Sequence, residues 1–183
     1  MAFQILVLLI GLVVGWVRKG SLWSIPGIRL RGIWLLPVPY VLQHVSIAYL
    51  TGTLYEVTIV LSYLSILLFC LVNLKVPGLL WAMGGTASNF LIMLTNGLRM
   101  PAYMPPIEQM EPKMAALLEA GRVGKSIAMS SGTHLNFLGD IFLINLRPAS
   151  LVSIGDILFS IGLVVLLQHA MTMERGERRV GQA

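Results

Sequence analysis

The chain has 183 residues, of which 56% are hydrophobic and 11% charged; its mean hydropathy is +0.82 and its formal charge is +5. A soluble domain of this length needs more charge to cover its surface, so the excess apolar surface is expected to face lipid. Nucleic acid is set aside as a partner, because a bias of basic residues towards one side of a bilayer accounts for the positive charge more simply. The one cysteine, Cys70, lies in an apolar run, which excludes a disulfide framework and a cysteine metal site.

A spanning helix takes roughly 20 residues, so the chain has room for about five. The first, Met1 to Val17, carries Gln4 as its only strongly polar residue and ends at Arg18-Lys19. A secretory signal puts its positive charge before the apolar core, so this run reads as a retained, short anchor with its N-terminus outside. Ser21 to Arg31 mixes Trp23 and Ile25 with Arg29 and Arg31, which suits the membrane–water interface. Span two runs from Ile33 to Leu50, with Pro37 and Pro39 loosening its first turns and Thr51-Gly52-Thr53 closing it. Span three is Val57 to Leu74, between Glu56 and Lys75.

Pro77 opens span four, Gly78 to Asn96, and Gly97 is placed to cap it. Inside it Gly84-Gly85-Thr86-Ala87-Ser88 allows close backbone approach, as does Gly11-x-x-x-Gly15 in span one. Tight helix packing is the ordinary meaning of such small-residue faces; they also offer a way to dock other membrane subunits. Residues 97–151 form a long external loop. Glu111-Pro112 opens a short helix ending near Gly121, with Met110, Met114, Leu117 and Leu118 on one face. Leu135 to Leu146 is apolar but too short to span, and Asp140 interrupts it; it is expected to dip into or cap the outer mouth. Span five, Val152 to Met171, precedes the charged tail 172–183.

The expected fold class is therefore all-α, a polytopic transmembrane helical bundle forming one domain over 1–183. This arrangement puts Arg18, Lys19, Arg29, Arg31, Lys75, Arg175, Arg178 and Arg179 on one side, eight of the thirteen basic residues, and that side should be cytoplasmic.

Three ordered motifs add a resemblance. Asn96-Gly97-Leu98-Arg99-Met100-Pro101, Phe137-Leu138-Gly139-Asp140 and Ser153-Ile154-Gly155-Asp156, within a stretch from about Pro77 to Leu167, resemble a family of small bacterial membrane proteins known only as a domain of unknown function. Leu98 stands where that family has a second glycine, which puts the shape of this turn in question. The resemblance implies a bacterial cytoplasmic-membrane location and supplies no activity.

Strongly polar side chains inside a span are costly and need a reason. Gln43, His44, Asn89 and Asp156 are such residues, and the last three fall in the outer halves of their spans. With His134 and Asp140 near the mouth, they suggest a polar binding pocket open to the outside: His44, Asn89, Asp156, His134 and Asp140. Structural roles compete with this. Ser153-x-x-Asp156 has the spacing of a capping box, which stands ahead of catalysis for Asp156, and Gly139-Asp140 reads as a turn. For His44 and Asn89 the competing role is that of a hydrogen-bonding partner to a neighbouring helix.

No cofactor is legible. His44 and His169 lie at different depths, about 13 Å apart along the bundle, which excludes a bis-histidine haem in this topology. His134 and Asp140 alone match no metal motif, and no phosphate loop, nucleophile elbow or His-Glu-x-x-His helix occurs. The leading expectation is a non-enzymatic accessory subunit or an external-side binding module in the lipid bilayer. A small-solute or ion transporter ranks second, and an enzyme on a lipid or envelope intermediate third. Convergence of the loop residues on Asp156 would favour a shared site.

Overall fold

The computed structural model describes residues 2–121, 123–146 and 150–180; for Ala2 and residues 174–180 it describes the backbone alone. The chain is mostly helical. Five longer helices, α1 (Ala2–Val17), α2 (Pro37–Tyr49), α3 (Gly52–Val72), α4 (Leu79–Leu94) and α7 (Ile154–Val180), pack together. Two short ones, α5 (Met104–Met110) and α6 (Pro112–Glu119), belong to a cap at one end.

Two helices, α3 and α7 over Ile154–Met173, are long and apolar enough to cross a membrane. The others differ from the expected spans for local reasons. Ile33–Leu35 is a separate 3-10 turn, and α2 begins at Pro37, since proline lacks the N–H that a helix interior would use. Helix α3 starts at Gly52 rather than Val57: Glu56 is exposed on its second turn and does not mark a boundary. Gly78 precedes α4 with φ +95°, a conformation that favours glycine.

Long-range contacts fix the helix directions. Gly11 and Gly15 of α1 face Leu167 and Met171 of α7, so these two run parallel. Ser46 of α2 donates to Thr58 of α3, and Gln43 donates to Ser62 at 3.1 Å, an antiparallel pair. Helix α4 lies antiparallel to α7 along a seam with almost no side chain in it. A Cβ added at Gly85 would lie 2.6 Å from the Phe159 amide nitrogen and closer still to the Gly155 carbonyl oxygen. One added at Gly162 would lie 2.6 Å from both the Ala82 nitrogen and the Gly78 carbonyl oxygen. Gly11, Gly15 and Gly85 thus serve packing within the chain, whereas Gly84 meets nothing within 4 Å and Ala87 is exposed.

The expected loop is more ordered than an all-α reading allows. Strand β1 (Met100–Ala102) pairs in parallel with β2 (Ser126–Ala128), and β3 (Phe142–Ile144) pairs antiparallel with β4 (Ser150–Val152). Asp140 bridges to Ala102 on the other side of β1. The expected short helix is present as α6, and α5 precedes it. Leu135 and Leu138 pack on the Tyr55, Ile59, Tyr63, Ile92 and Met93 core, so this segment does cap the helix ends. A second small core, Ala102, Met104, Ala115 and Leu118, holds the cap itself together. Arg122, Arg147 and the end of the tail lie outside the described residues, as do the side chains of Arg175, Arg178 and Arg179.

Candidate functional site

Asp156 sits in the first turn of α7. The Ser153 backbone N–H donates to Asp156 Oδ2 at 3.1 Å, and the Asp156 N–H donates to Ser153 Oγ at 2.9 Å. This is the capping box read from the sequence, with two orphan helix donors satisfied reciprocally. Asn89 completes it from α4: its Nδ2 donates to Asp156 Oδ1 at 2.8 Å, and its Oδ1 accepts from Ser153 Oγ at 2.8 Å. Both carboxylate oxygens of Asp156 are therefore engaged, and a polar clasp closes the glycine seam at the cap end.

Asp140 is placed by main-chain bonds. Its N–H donates to the Pro101 carbonyl at 2.9 Å, and its own carbonyl accepts from Tyr103 at 3.0 Å. Gly139 makes this approach possible, because a Cβ there would stand 2.6 Å from the Pro101 carbonyl oxygen. The Asp140 side chain differs from that of Asp156: Oδ1 is buried and has no hydrogen-bond partner among the described residues. Burial first, and then the nearby Asp156 charge, push its pKa up to about 7, against the opposing pull of Lys125.

Lys125 brings the missing cation. It follows Gly124 in the cap and turns into the helices, where its ammonium donates to Gln43 Oε1 at 3.2 Å and to the Tyr63 hydroxyl at 3.3 Å. Burial opposes its charge, but Tyr63, Asp156 and Asp140 outweigh that and hold its pKa above the ordinary lysine value.

Asp140 also faces a groove of about 530 Å³ in the cap. Ile107, Met110, Met114, Leu118, Leu143 and Leu151 give it apolar walls, and Asp140, Glu111, Ser126 and Ser150 bring the polar groups. Met110, Met114 and Leu118 belong to the face read from the sequence; Leu117 points elsewhere, 44% exposed. The groove has the size and the mostly apolar lining of a small-molecule site.

Asn89 and Asp156 are thus bonded to each other and Asp140 lies within reach of the Asp156 charge, whereas His44 and His134 stand apart. His44 is exposed on α2 and stacks on Tyr40, with ring centroids 6.2 Å apart. His134 is exposed and held by its main chain: its N–H donates to Asn96 Oδ1 at 2.8 Å, and its carbonyl accepts from Asn96 Nδ2 at 2.9 Å. Asn96 acts here like a strip of neighbouring strand. Lys125 and Tyr63 escaped the sequence reading, since nothing local marks a loop lysine as one that turns inward. Gln43 was a candidate for its polarity alone, and Ser153 for its spacing from Asp156.

The segments carrying the three motifs meet in space: Asn96 holds His134, Pro101 holds Asp140, and Asp140 feels the charge of Asp156. Leu98 keeps a left-handed conformation, φ +59°, next to Gly97 at +63°, so the turn retains the shape a glycine would give while Leu98 fills the core. An uncharacterised protein of Thermotoga maritima is 26% identical over 151 residues, which cover 81% of each chain. No solved structure matches. The model of a family of unknown function, DUF5317, matches residues 27–168, and the chain belongs to that family.

Proposed function

We propose that this is a five-span membrane protein whose outer cap binds an apolar molecule carrying an amine or another strong hydrogen-bond donor. The observation that carries the ligand assignment is the mostly apolar groove with the acids Asp140 and Glu111 in its lining, where Asp140 Oδ1 is buried at the wall without a partner among the described residues. A buried acceptor without a partner costs free energy, and a donor delivered by a ligand recovers it. Glu111 adds a second acid to the lining, and no basic residue lines the groove among the described residues.

Three features support the membrane reading. Helices α1 to α4 and α7 alternate in direction, so α1 enters at the cap end and α7 leaves at the other. Large apolar side chains, among them Ile5, Leu9, Val13, Leu61, Leu68 and Leu80, are exposed along them. Arg18, Lys19, Arg29, Arg31 and Lys75 follow or precede helix ends remote from the cap, as the positive-inside rule asks. Helices α1, α2 and α4 are shorter than the roughly 30 Å hydrocarbon core; flanking 3-10 turns and a locally thinned bilayer make up the difference. Gly11, Gly15 and Gly85 are used inside the chain, which favours the binding module over the accessory subunit.

The ligand test uses Cys70→Ser with a fluorophore on Leu117→Cys, on the helix that walls the groove but outside its lining, in phosphatidylcholine nanodiscs. Octylamine should give a saturable response, octanoate none, and Asp140→Asn should abolish the octylamine response. An equal response to both ligands would overturn the assignment. Orientation is read separately in intact cells: an impermeant thiol reagent should label a cysteine at Lys113 and spare one at Lys75.

A further inference from the structure

A second cavity, of about 220 Å³, lies between α3, α4 and α7 at the end away from the cap. Ile66, Phe69 and Cys70 of α3, Leu79 of α4 and Leu163 and Leu166 of α7 form much of its wall. Apart from the Cys70 thiol, no lining side chain carries a hydrogen-bonding group. It reaches from Phe159, near the middle of the bundle, to Leu30 and Leu36 beside the helix ends.

Basic residues flank the lining residues of this end in the chain. Leu30 lies between Arg29 and Arg31, both exposed. The Arg31 main chain is clamped by buried Asn73: its N–H donates to Asn73 Oδ1 at 2.7 Å, and its carbonyl accepts from Asn73 Nδ2 at 2.8 Å. Lys75 follows two residues later. Arg18 is anchored nearby, donating to Gln168 Oε1 at 2.6 Å, two residues beyond Leu166. The acids are distributed the other way: apart from Glu174 and Glu177 in the tail, every one is on the cap or at the cap end of a helix, at positions 56, 108, 111, 119, 140 and 156.

We infer that this cavity holds one acyl chain of an anionic phospholipid from the inner leaflet, whose phosphate rests against Arg29, Arg31 and Lys75. An apolar slot that starts at a cationic rim and runs towards the bilayer centre fits a single tail below a negative head group. A neutral lipid would fill the slot equally well and leave the rim unmatched. A soluble anion would match the rim and leave the slot empty. The assignment rests on the membrane reading proposed above and is independent of the groove in the cap.

The test is native mass spectrometry of the full chain released from nanodiscs containing equal amounts of phosphatidylglycerol and phosphatidylcholine. The expected result is a one-to-one phosphatidylglycerol adduct that survives detergent exchange. Arg31→Gln with Lys75→Gln should lower the preference by about fivefold for each charge removed. Leu36→Trp, at an exposed lining residue, should block the slot and reduce retention of either lipid; circular dichroism confirms that this variant folds. Glycerophosphoglycerol, the head group without tails, should fail to compete. Equal retention of the two lipids overturns the inference, as does full retention by Leu36→Trp. A chain that leaves native membranes in alkaline carbonate refutes the membrane reading itself, whereas one that stays in the pellet without the adduct refutes only the lipid site.

Discussion

Asp140 lies close enough to Asp156 to feel its charge, yet the two occupy opposite chemical situations. Asp156 closes a helix N-terminus and is bonded through both oxygens, to Ser153 and to Asn89. Asp140 is fixed through its main chain, lines the mostly apolar groove, and keeps one buried carboxyl oxygen without a partner among the described residues. A saturated carboxylate builds structure, while an unsaturated one is available to a ligand. The pair teaches that an acidic residue's role depends on the completeness of its bonding, which its depth in a span does not reveal.

The largest effect is expected where Asp156's clasp has its foundation, in the α4–α7 seam. Gly85→Val would drive side-chain carbons into the Gly155 and Phe159 backbone, which has no flexible end to move aside. Overpacking against backbone should cost about 3 kcal/mol or more. Thermal unfolding in detergent should show the variant unfolded or with a sharply lowered Tm; a Tm near that of the native chain would show that the helices can separate freely. Next comes Asp156→Ala, which removes the cap and leaves Asn89 Nδ2 without its acceptor. The expected loss is about 1–3 kcal/mol. Asn89→Ala in the same background should add little, since the two act as a unit; additive losses would contradict the clasp.

Those features were the most legible in the sequence, because they are local. The Ser153-x-x-Asp156 spacing announces a capping box, and clustered glycines announce close helix contact. Helix ends were less legible: Glu56 looked like a boundary although an exposed second-turn position accepts it, and Pro37 divided what hydropathy joined. The cap was hardest to read. Its strands are three residues each, too short for an alternating pattern, and β1 finds β2 only across α5 and α6. The inward course of Lys125 depends on that parallel pairing. Asp140 was picked out for interrupting an apolar run, while its groove required the whole cap to be assembled.

Asn96→Ala sharpens the contrast from the cap side. It removes both bonds to the His134 main chain and should cost about 1–2 kcal/mol. Hydrogen exchange should rise around His134 to Asp140 and stay unchanged in the α4–α7 seam. Uniform loss of protection would mean that cap and seam unfold as one unit.

Asp140→Asn should have a smaller effect on stability, and one with a definite pH dependence. The folded pKa of about 7 lies above the ordinary value of about 3.9 for an unfolded chain. Between these values the folded protein retains a proton that the unfolded chain has released. Stability from this group is therefore full below about pH 4, falls as pH rises towards 7, and levels off beyond. The Asn variant should lack that decline, so its Tm relative to the native chain should rise across this window. Octylamine binding should run the opposite way, strengthening as Asp140 ionises and weakening about tenfold per unit below pH 7. Parallel Tm profiles for the two proteins would place Asp140 in water and remove the contrast with Asp156.

His44→Ala should have the smallest effect. The side chain lies on the exposed face of α2, its one aromatic neighbour, Tyr40, is itself 72% exposed, and it makes no hydrogen bond to another helix among the described residues. Substitution at such a position, away from core and caps, should change stability by less than about 0.5 kcal/mol. Octylamine binding should also be unchanged, since His44 lines no part of the groove. The control has force because His44 and Asp156 are alike by sequence, each a polar side chain in the cap-end half of an apolar segment. A binding loss in His44→Ala as large as in Asp140→Asn would mean that the ligand sits among the helices, and the groove would cease to be the site.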